Sequence, residues 1–309
     1  MSFKIIKYDQ MSKDEWDKNV SLMSGNQHLC SWNSIRYQSQ TEKTKNISFS
    51  LFEGKKCIAI VPLGTAQVDL KNYVLVKSKN NEKVFGFGNN HCPEPILNKD
   101  CNNYEKKKIL SNIREILIDL SKKYKIYNYR TRNHPVIFEK DKPFLSSKNQ
   151  FYSLKWSYDF VVHNTIILDL KNSIEEIWNN FSKYHRKNIK RALKNKTEFR
   201  CINHQTKKKT INEKFDNFKE AHFVSAGYKT RLDSSWETMK KMLIEKEGVL
   251  FILKYENKDI SFLYCGTYKN FSWGWSQVNN QSYEKELMPR HLLEWETIKY
   301  LKKNKFNFY

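Results

Sequence analysis

Lys183, Arg186, Lys187, Lys190 and Arg191 crowd one arc of a predicted helix, because Ile174, Ile177, Trp178, Phe181, Ile189 and Ala192 take the opposite arc at 3.6-residue spacing. The spacing predicts one amphipathic helix that carries this cationic cluster in its last turns. Guanidinium and ammonium groups at that density suit the holding of an anion, and Arg186 offers the planar fork that matches a phosphate or carboxylate. A solvated face whose charge complements the dipole at the helix C-terminus is the alternative.

Proton transfer needs a different set. His222, late in a helix, is one candidate, and Tyr228 in the loop Ala226-Gly227-Tyr228-Lys229-Thr230-Arg231 is another. Tyr283 and Glu284 complete the group. A single histidine near a helix end is more often structural than catalytic. The turn-rich loop from Phe85 to Pro95 holds His91 and Glu94 among exposed polar groups. Its Gly86-x-Gly88 follows no strand-to-helix junction and is no dinucleotide fingerprint, while His91-Cys92 lacks a second ligand pair. No metal site is expected.

The elements that must position these groups follow from periodicity. After the basic helix come a strand at 197–203, a helix near 210–224, and a second helix with Ser234 and Glu237 spaced as a capping box. Strands at 249–255, 260–268 and 271–278 are expected to be neighbours, with Asn257-Lys258-Asp259 turning the first into the second. A helix starts near Met288-Pro289 and Phe306–Tyr309 closes as a strand. The earlier half runs in the same order: a strand at 3–8, a helix capped by Ser12 and Glu15, and a helix at 31–40. A hairpin across Glu53-Gly54 follows, then strands near 73–77 and 84–87, a helix at 104–122 and strands at 126–130 and 160–168. The reading is α/β with mixed sheets, in two domains at 1–170 and 171–309.

Arg186-Lys187-Asn188-Ile189-Lys190-Arg191-Ala192, His291–Tyr300 and the repeated strand-helix order together resemble the FemAB-type proteins. These are GNAT-fold acyltransferases that include the CelD/BioF-like branch. The resemblance implies two tandem GNAT-like domains, the second short at its C-terminus. It implies an acyl-CoA wedged beside the strand 271–278, where Ser272, Gly274 and Ser276 are expected to form one small face opposite Phe271, Trp273, Trp275 and Gln277. Gly274 would permit a bulge. The donor's phosphate would sit at the helix start of Met288 and Arg290, and Arg186, Lys187 and Asn188 would hold the acceptor's phosphate. His91, Glu94 and Arg231 would border the acceptor.

Composition narrows the class. The chain has 309 residues, 39% of them apolar, and a formal charge of +22, which favours polyanionic partners. Six scattered cysteines without a C-x-x-C pair read as reduced thiols, and no apolar run is long enough to span a bilayer, so a cytoplasmic location is expected. Within these limits the resemblance implies an N-acyltransferase using acyl-CoA as donor substrate. It would act on an amine of a phosphorylated sugar or lipid-linked cell-wall or surface-glycan precursor, with peripheral contact to an anionic membrane. An aminoacyl-tRNA-dependent transferase is the second reading, set back by the lack of a heptad-bearing arm near 199–213. A nucleic-acid-binding protein without enzymatic activity is the third, and Lys207-Lys208-Lys209 has no interleaved aromatic residue to serve it.

Overall fold

The computed structural model describes residues 3–40, 44–67, 83–88, 91–126, 128–139, 142–145 and 165–309. Two compact units divide the chain, Met1–Val162 and His163–Tyr309.

In the first unit, β1 (Lys4–Lys7) leads into α1 (Lys13–Ser21), whose N-cap Ser12 accepts from the Glu15 amide while Glu15 reaches back to the Ser12 amide. Then follow β2 (Met23–Ser24), α2 (Gln27–Cys30), α3 (Trp32–Gln38), β3 (Thr44–Asn46), β4 (Phe49–Glu53), β5 (Lys56–Val61), β6 (Gly64–Gln67), β7 (Lys83–Phe85), β8 (Cys92–Pro93) and β9 (Ile96–Asn98). The helix α4 (Asn103–Tyr124) has its own capping box, Asn102 with Glu105, and precedes β10 (Asn128–Tyr129), β11 (Thr131–Arg132), β12 (Val136–Glu139) and β13 (Lys142–Leu145). The main sheet runs β1-β4-β5-β9-β2 and a second runs β10-β7-β6-β3. Trp16, Ile60, Phe85 and Ile113 anchor its core. The strand expected at 73–77, and residues 160–164 of the one expected at 160–168, lie outside the described residues.

The second unit departs from expectation at its start. The predicted single helix is two: α5 (Ile174–Asn180) and α6 (Lys183–Ala192). Phe181 is extended, with φ −68° and ψ 146°, and the Ser182 hydroxyl accepts from the His185 amide. Apolar spacing alone ran through this break, because Phe181 and Ile189 still pack on one core. The N-cap serine is what stops one helix and starts the next.

From there the order is the one expected: β14 (Glu198–Ile202), α7 (Lys208–Ala226), α8 (Asp233–Ile244), β15 (Gly248–Tyr255), β16 (Lys258–Tyr268), β17 (Phe271–Asn279), α9 (Glu284–Leu287) and α10 (Pro289–Lys303). The four strands form one antiparallel sheet in the order β14-β15-β16-β17. The β15–β16 turn is Glu256-Asn257, both at positive φ as a tight primed turn requires, so Lys258 and Asp259 already belong to the strand. Ser234 is no cap. α8 begins two residues earlier, with Leu232 at the N-cap and Asp233 in the first turn, ion-paired to Lys219 at 2.6 Å.

Phe308 bridges Phe271 in parallel and Asp169 antiparallel, while Leu168 and Tyr309 exchange both backbone hydrogen bonds. The segment at 168–170 therefore extends the sheet beyond Phe308. Alternate strand residues face opposite layers. Leu263, Cys265 and Phe251 meet Leu293 and Ile298 of α10 and Ile189 of α6, whereas Tyr264 meets Phe215 and Phe218 of α7. Each fully buried aliphatic or aromatic side chain contributes roughly 1.5–3 kcal/mol.

Candidate functional site

The register of β17 decides where its side chains go. Tyr264 pairs with Ser276 but Cys265 pairs with Gly274, which leaves Trp275 as an extra residue. Such a bulge breaks the period-two alternation. Trp273 and Trp275 lie on the α7–α8 side, the Trp275 ring 6.0 Å from Tyr264, whose hydroxyl donates to the Met239 carbonyl of α8. Past the bulge Ser276 joins them, and Gln277, opposite Leu263, turns to the α10 side. The single small face expected from alternation is thus split. Ser272 and Gly274 face α10, and Ser276 faces α7. Gly274 is exposed, but a Cβ there would stand 3.1 Å from the Tyr309 hydroxyl, and the fully buried Ser272 donates to the Gly266 carbonyl at 3.1 Å.

On the α7 side the Ser276 hydroxyl lies 2.9 Å from His222 Nε2 and 3.0 Å from a terminal nitrogen of Arg231. Arg231 is steadied by the Trp236 ring, 4.8 Å from its centroid. The His222 ring meets Phe218 at 4.8 Å and Trp236 at 5.4 Å. Burial, and then the Arg231 charge, hold His222 down at about 4, so at neutral pH it is an unprotonated imidazole able to accept a proton. The sequence named His222, Ser276 and Arg231 for three different jobs, and the structure brings them to one place. Tyr228 is exposed in the loop after α7.

On the α10 side the expected acceptor-phosphate and donor-phosphate groups form one surface, because α6 packs on α10. His185 Nδ1 and His291 Nδ1 are 3.1 Å apart, and Asn188 Nδ2 lies 3.2 Å from His291 Nε2. Asn188 is buried and makes that contact. Arg186 is likewise engaged: its guanidinium donates to the Asn179 carbonyl at 2.9 Å, closing the C-terminus of α5. Lys187 and Arg290 are exposed. Burial, His185 and Arg290 together lower His291 below its ordinary value.

The break at Ser182 changes the electrostatics. Only Lys190 and Arg191 lie in the last turn of α6, where a cation complements the dipole. Lys183 occupies the first turn, where the dipole opposes it. A dipole-complementing face therefore does not explain the cluster, whereas an anion at that end would relieve it.

Other expected residues are dispersed. Tyr283 packs on the α10-side core near Tyr255, and Glu284 opens α9, so neither converges with His222 across the sheet. Met288, the N-cap of α10, is held at φ 48°. Glu94 is buried and accepts from Asn133 at 3.0 Å, so it is no exposed acceptor contact, and the described part of the His91 loop donates the Phe87 amide to the His91 carbonyl. Sequence reasoning missed His185, His291 and a buried pair in which Tyr309 donates to Glu294 at 2.8 Å. Burial pushes Glu294 above the usual carboxylate range, and the Tyr309 hydrogen bond opposes that. No local pattern announces contacts between residues 15 to 106 positions apart. Among the described residues no group of three or more His, Cys, Asp or Glu could hold a metal ion, and no helix is long and apolar enough to cross a membrane.

No family model matches the chain, and no curated protein matches it. Among solved structures it is similar to FemX, with 14% identity and a TM-score of 0.62 over 100% of this chain and 88% of that one. It is similar to L-PGS from Bacillus licheniformis, with 12% identity and a TM-score of 0.54 over 96% and 74%. A C-terminal domain from Agrobacterium fabrum that carries the name of a lysylphosphatidylglycerol synthetase matches with 7% identity and a TM-score of 0.54 over 96% and 77%. The chain shares the fold of FemX. At these identities the likeness is one of fold, and chemistry has to be argued from the site.

Proposed function

We propose that the protein is an N-acyltransferase that moves an acyl group from acyl-CoA to an amine of a phosphorylated sugar or lipid-linked envelope precursor. The observation that carries this is the meeting of Ser276, His222 and Arg231 beside the β17 bulge, with cations on the other side of the second unit's sheet. One side presents Lys187, Arg290, His185 and the start of α10, which suit the donor's phosphates. The other presents His222 unprotonated, with Arg231 beside it, which suits a neutral attacking amine and a phosphate-bearing acceptor. Between them the Trp275 bulge bends the strand that both sides share. His222 would take the proton of the attacking amine, and the carbon–sulfur bond of the thioester would break as the amide forms.

An aminoacyl-tRNA donor is the second reading, supported by the fold shared with FemX and with a protein named for an aminoacylated phospholipid. It would use the same cationic side, and the lipid or lipid-linked acceptor would bring the protein to an anionic membrane surface. Thermal denaturation with each donor separates the two. A ligand at 100 times its Kd stabilises by about 2.7 kcal/mol. Acetyl-CoA is expected to raise the melting temperature and to acylate a diamine probe. A shift with aminoacyl-tRNA and none with any acyl-CoA would replace the first reading by the second.

A further inference from the structure

Ser276 has no task in direct transfer from donor to amine, yet its surroundings are those of a nucleophile. A guanidinium can only donate, so the Ser276 hydroxyl oxygen accepts from Arg231 at 3.0 Å. The same hydroxyl lies 2.9 Å from His222 Nε2. His222 is unprotonated at neutral pH, and in the tautomer that carries its ring proton on Nδ1 the Nε2 lone pair would accept the Ser276 proton. The imidazole is wedged between Phe218 and Trp236, and Arg231 lies over Trp236, so both groups are positioned before any ligand arrives. Negative charge developing on Oγ would meet a guanidinium already in place. The bulge at Trp275 is what turns Ser276 to this side of the sheet.

We propose that Ser276 is acylated during turnover, so that transfer runs through an acyl-serine. In the first half the Oγ–carbon bond forms and the donor's carbon–sulfur bond breaks. The Oγ proton passes to His222 Nε2 and on to the leaving thiolate. In the second half the amine nitrogen attacks the ester carbonyl and the Oγ–carbon bond breaks. The amine's proton returns through His222 to Oγ. This step rests on the acyl-transfer reading above, but the nucleophile can be tested without knowing donor or acceptor.

A fluorophosphonate probe, which reacts with activated serines, is added to the full chain and the modified peptide is identified by mass. Stoichiometric labelling of Ser276 is expected, absent in Ser276→Ala and slowed about 100-fold or more in His222→Gln, the ordinary contribution of a general base. No label on the folded wild type, or a label indifferent to His222→Gln, overturns the proposal. A transfer assay with acetyl-CoA and a diamine separates the two ideas. Full kcat in Ser276→Ala would overturn the covalent step while leaving N-acyl transfer standing. Labelled Ser276 without transfer to any amine would retain the nucleophile and remove the transferase reading. Ser276→Cys keeps a nucleophile in place and is expected to accumulate an acetyl thioester, which guards against a fold defect in the alanine variant.

Discussion

Replacing His222 by glutamine should make the protein less sensitive to acid. His222 in the fold titrates at about 4, against 6.5 for the free side chain, because burial and the Arg231 charge oppose its protonation. Above pH 6.5 folded and unfolded states are both neutral at this site, and its full contribution to stability is present. As pH falls from 6.5 to 4 the unfolded chain takes up a proton that the folded chain refuses, so stability is lost through that window. At 1.36 kcal/mol per unit the shift corresponds to about 3.4 kcal/mol if fully expressed. His222 is only half-buried, and solvent screening reduces this to about 1–2 kcal/mol. Glutamine keeps a hydrogen-bonding group toward Ser276 but does not titrate. Urea unfolding at pH 7 and at pH 4.5, followed by tryptophan fluorescence, reads the effect, since Trp236 packs on His222. The loss of stability between the two pH values should be smaller in the variant by about 1–2 kcal/mol. His28 and His134 are also depressed by burial but are common to both proteins and cancel in the comparison. Equal losses in wild type and variant would refute the assignment of a depressed His222.

Gly266→Ala should destabilise far more than Gly274→Ala, because a Cβ at 266 drives into the packed Trp273 ring while one at 274 meets only the far end of the Tyr309 side chain; chemical denaturation of the pair checks the ranking. Arg186→Ala should cost about 1 kcal/mol of stability by uncapping Asn179, whereas Lys187→Ala should leave the melting temperature unchanged and weaken phosphate-donor binding in titration calorimetry. Tyr309→Phe removes the donor to the buried Glu294 carboxyl and should cost about 1–3 kcal/mol, measured by urea unfolding. If Tyr309→Phe is neutral, that pair is not what seats residues 307–309 against α10.

Strands β15, β16 and β17 were legible because their residues are apolar and β-branched or aromatic in runs bounded by turn residues, and they do lie side by side in one sheet. The capping box at Ser12 and Glu15 was equally legible, since both partners sit within one turn. The break at Ser182 was visible in kind but outvoted by apolar spacing. A serine can cap a helix or ride its surface, and only packing chose.

The amino-acid sequence by itself determined the identities and local periods: which segments are strands, which helix carries the cations, and which residues have the chemistry to move a proton or hold a phosphate. Tertiary structure decided which of them meet. A bulge belongs to two paired strands and to neither alone, so the turn that brings Ser276 to His222 could not be read along β17. The joining of His185 to His291 depends on α6 packing against α10, which makes one cationic surface of two expected ones. Local sequence sets the torsions of the next few residues. The encounter of distant side chains is set by the packing of whole elements, whose energy is shared across the core rather than written at either contact.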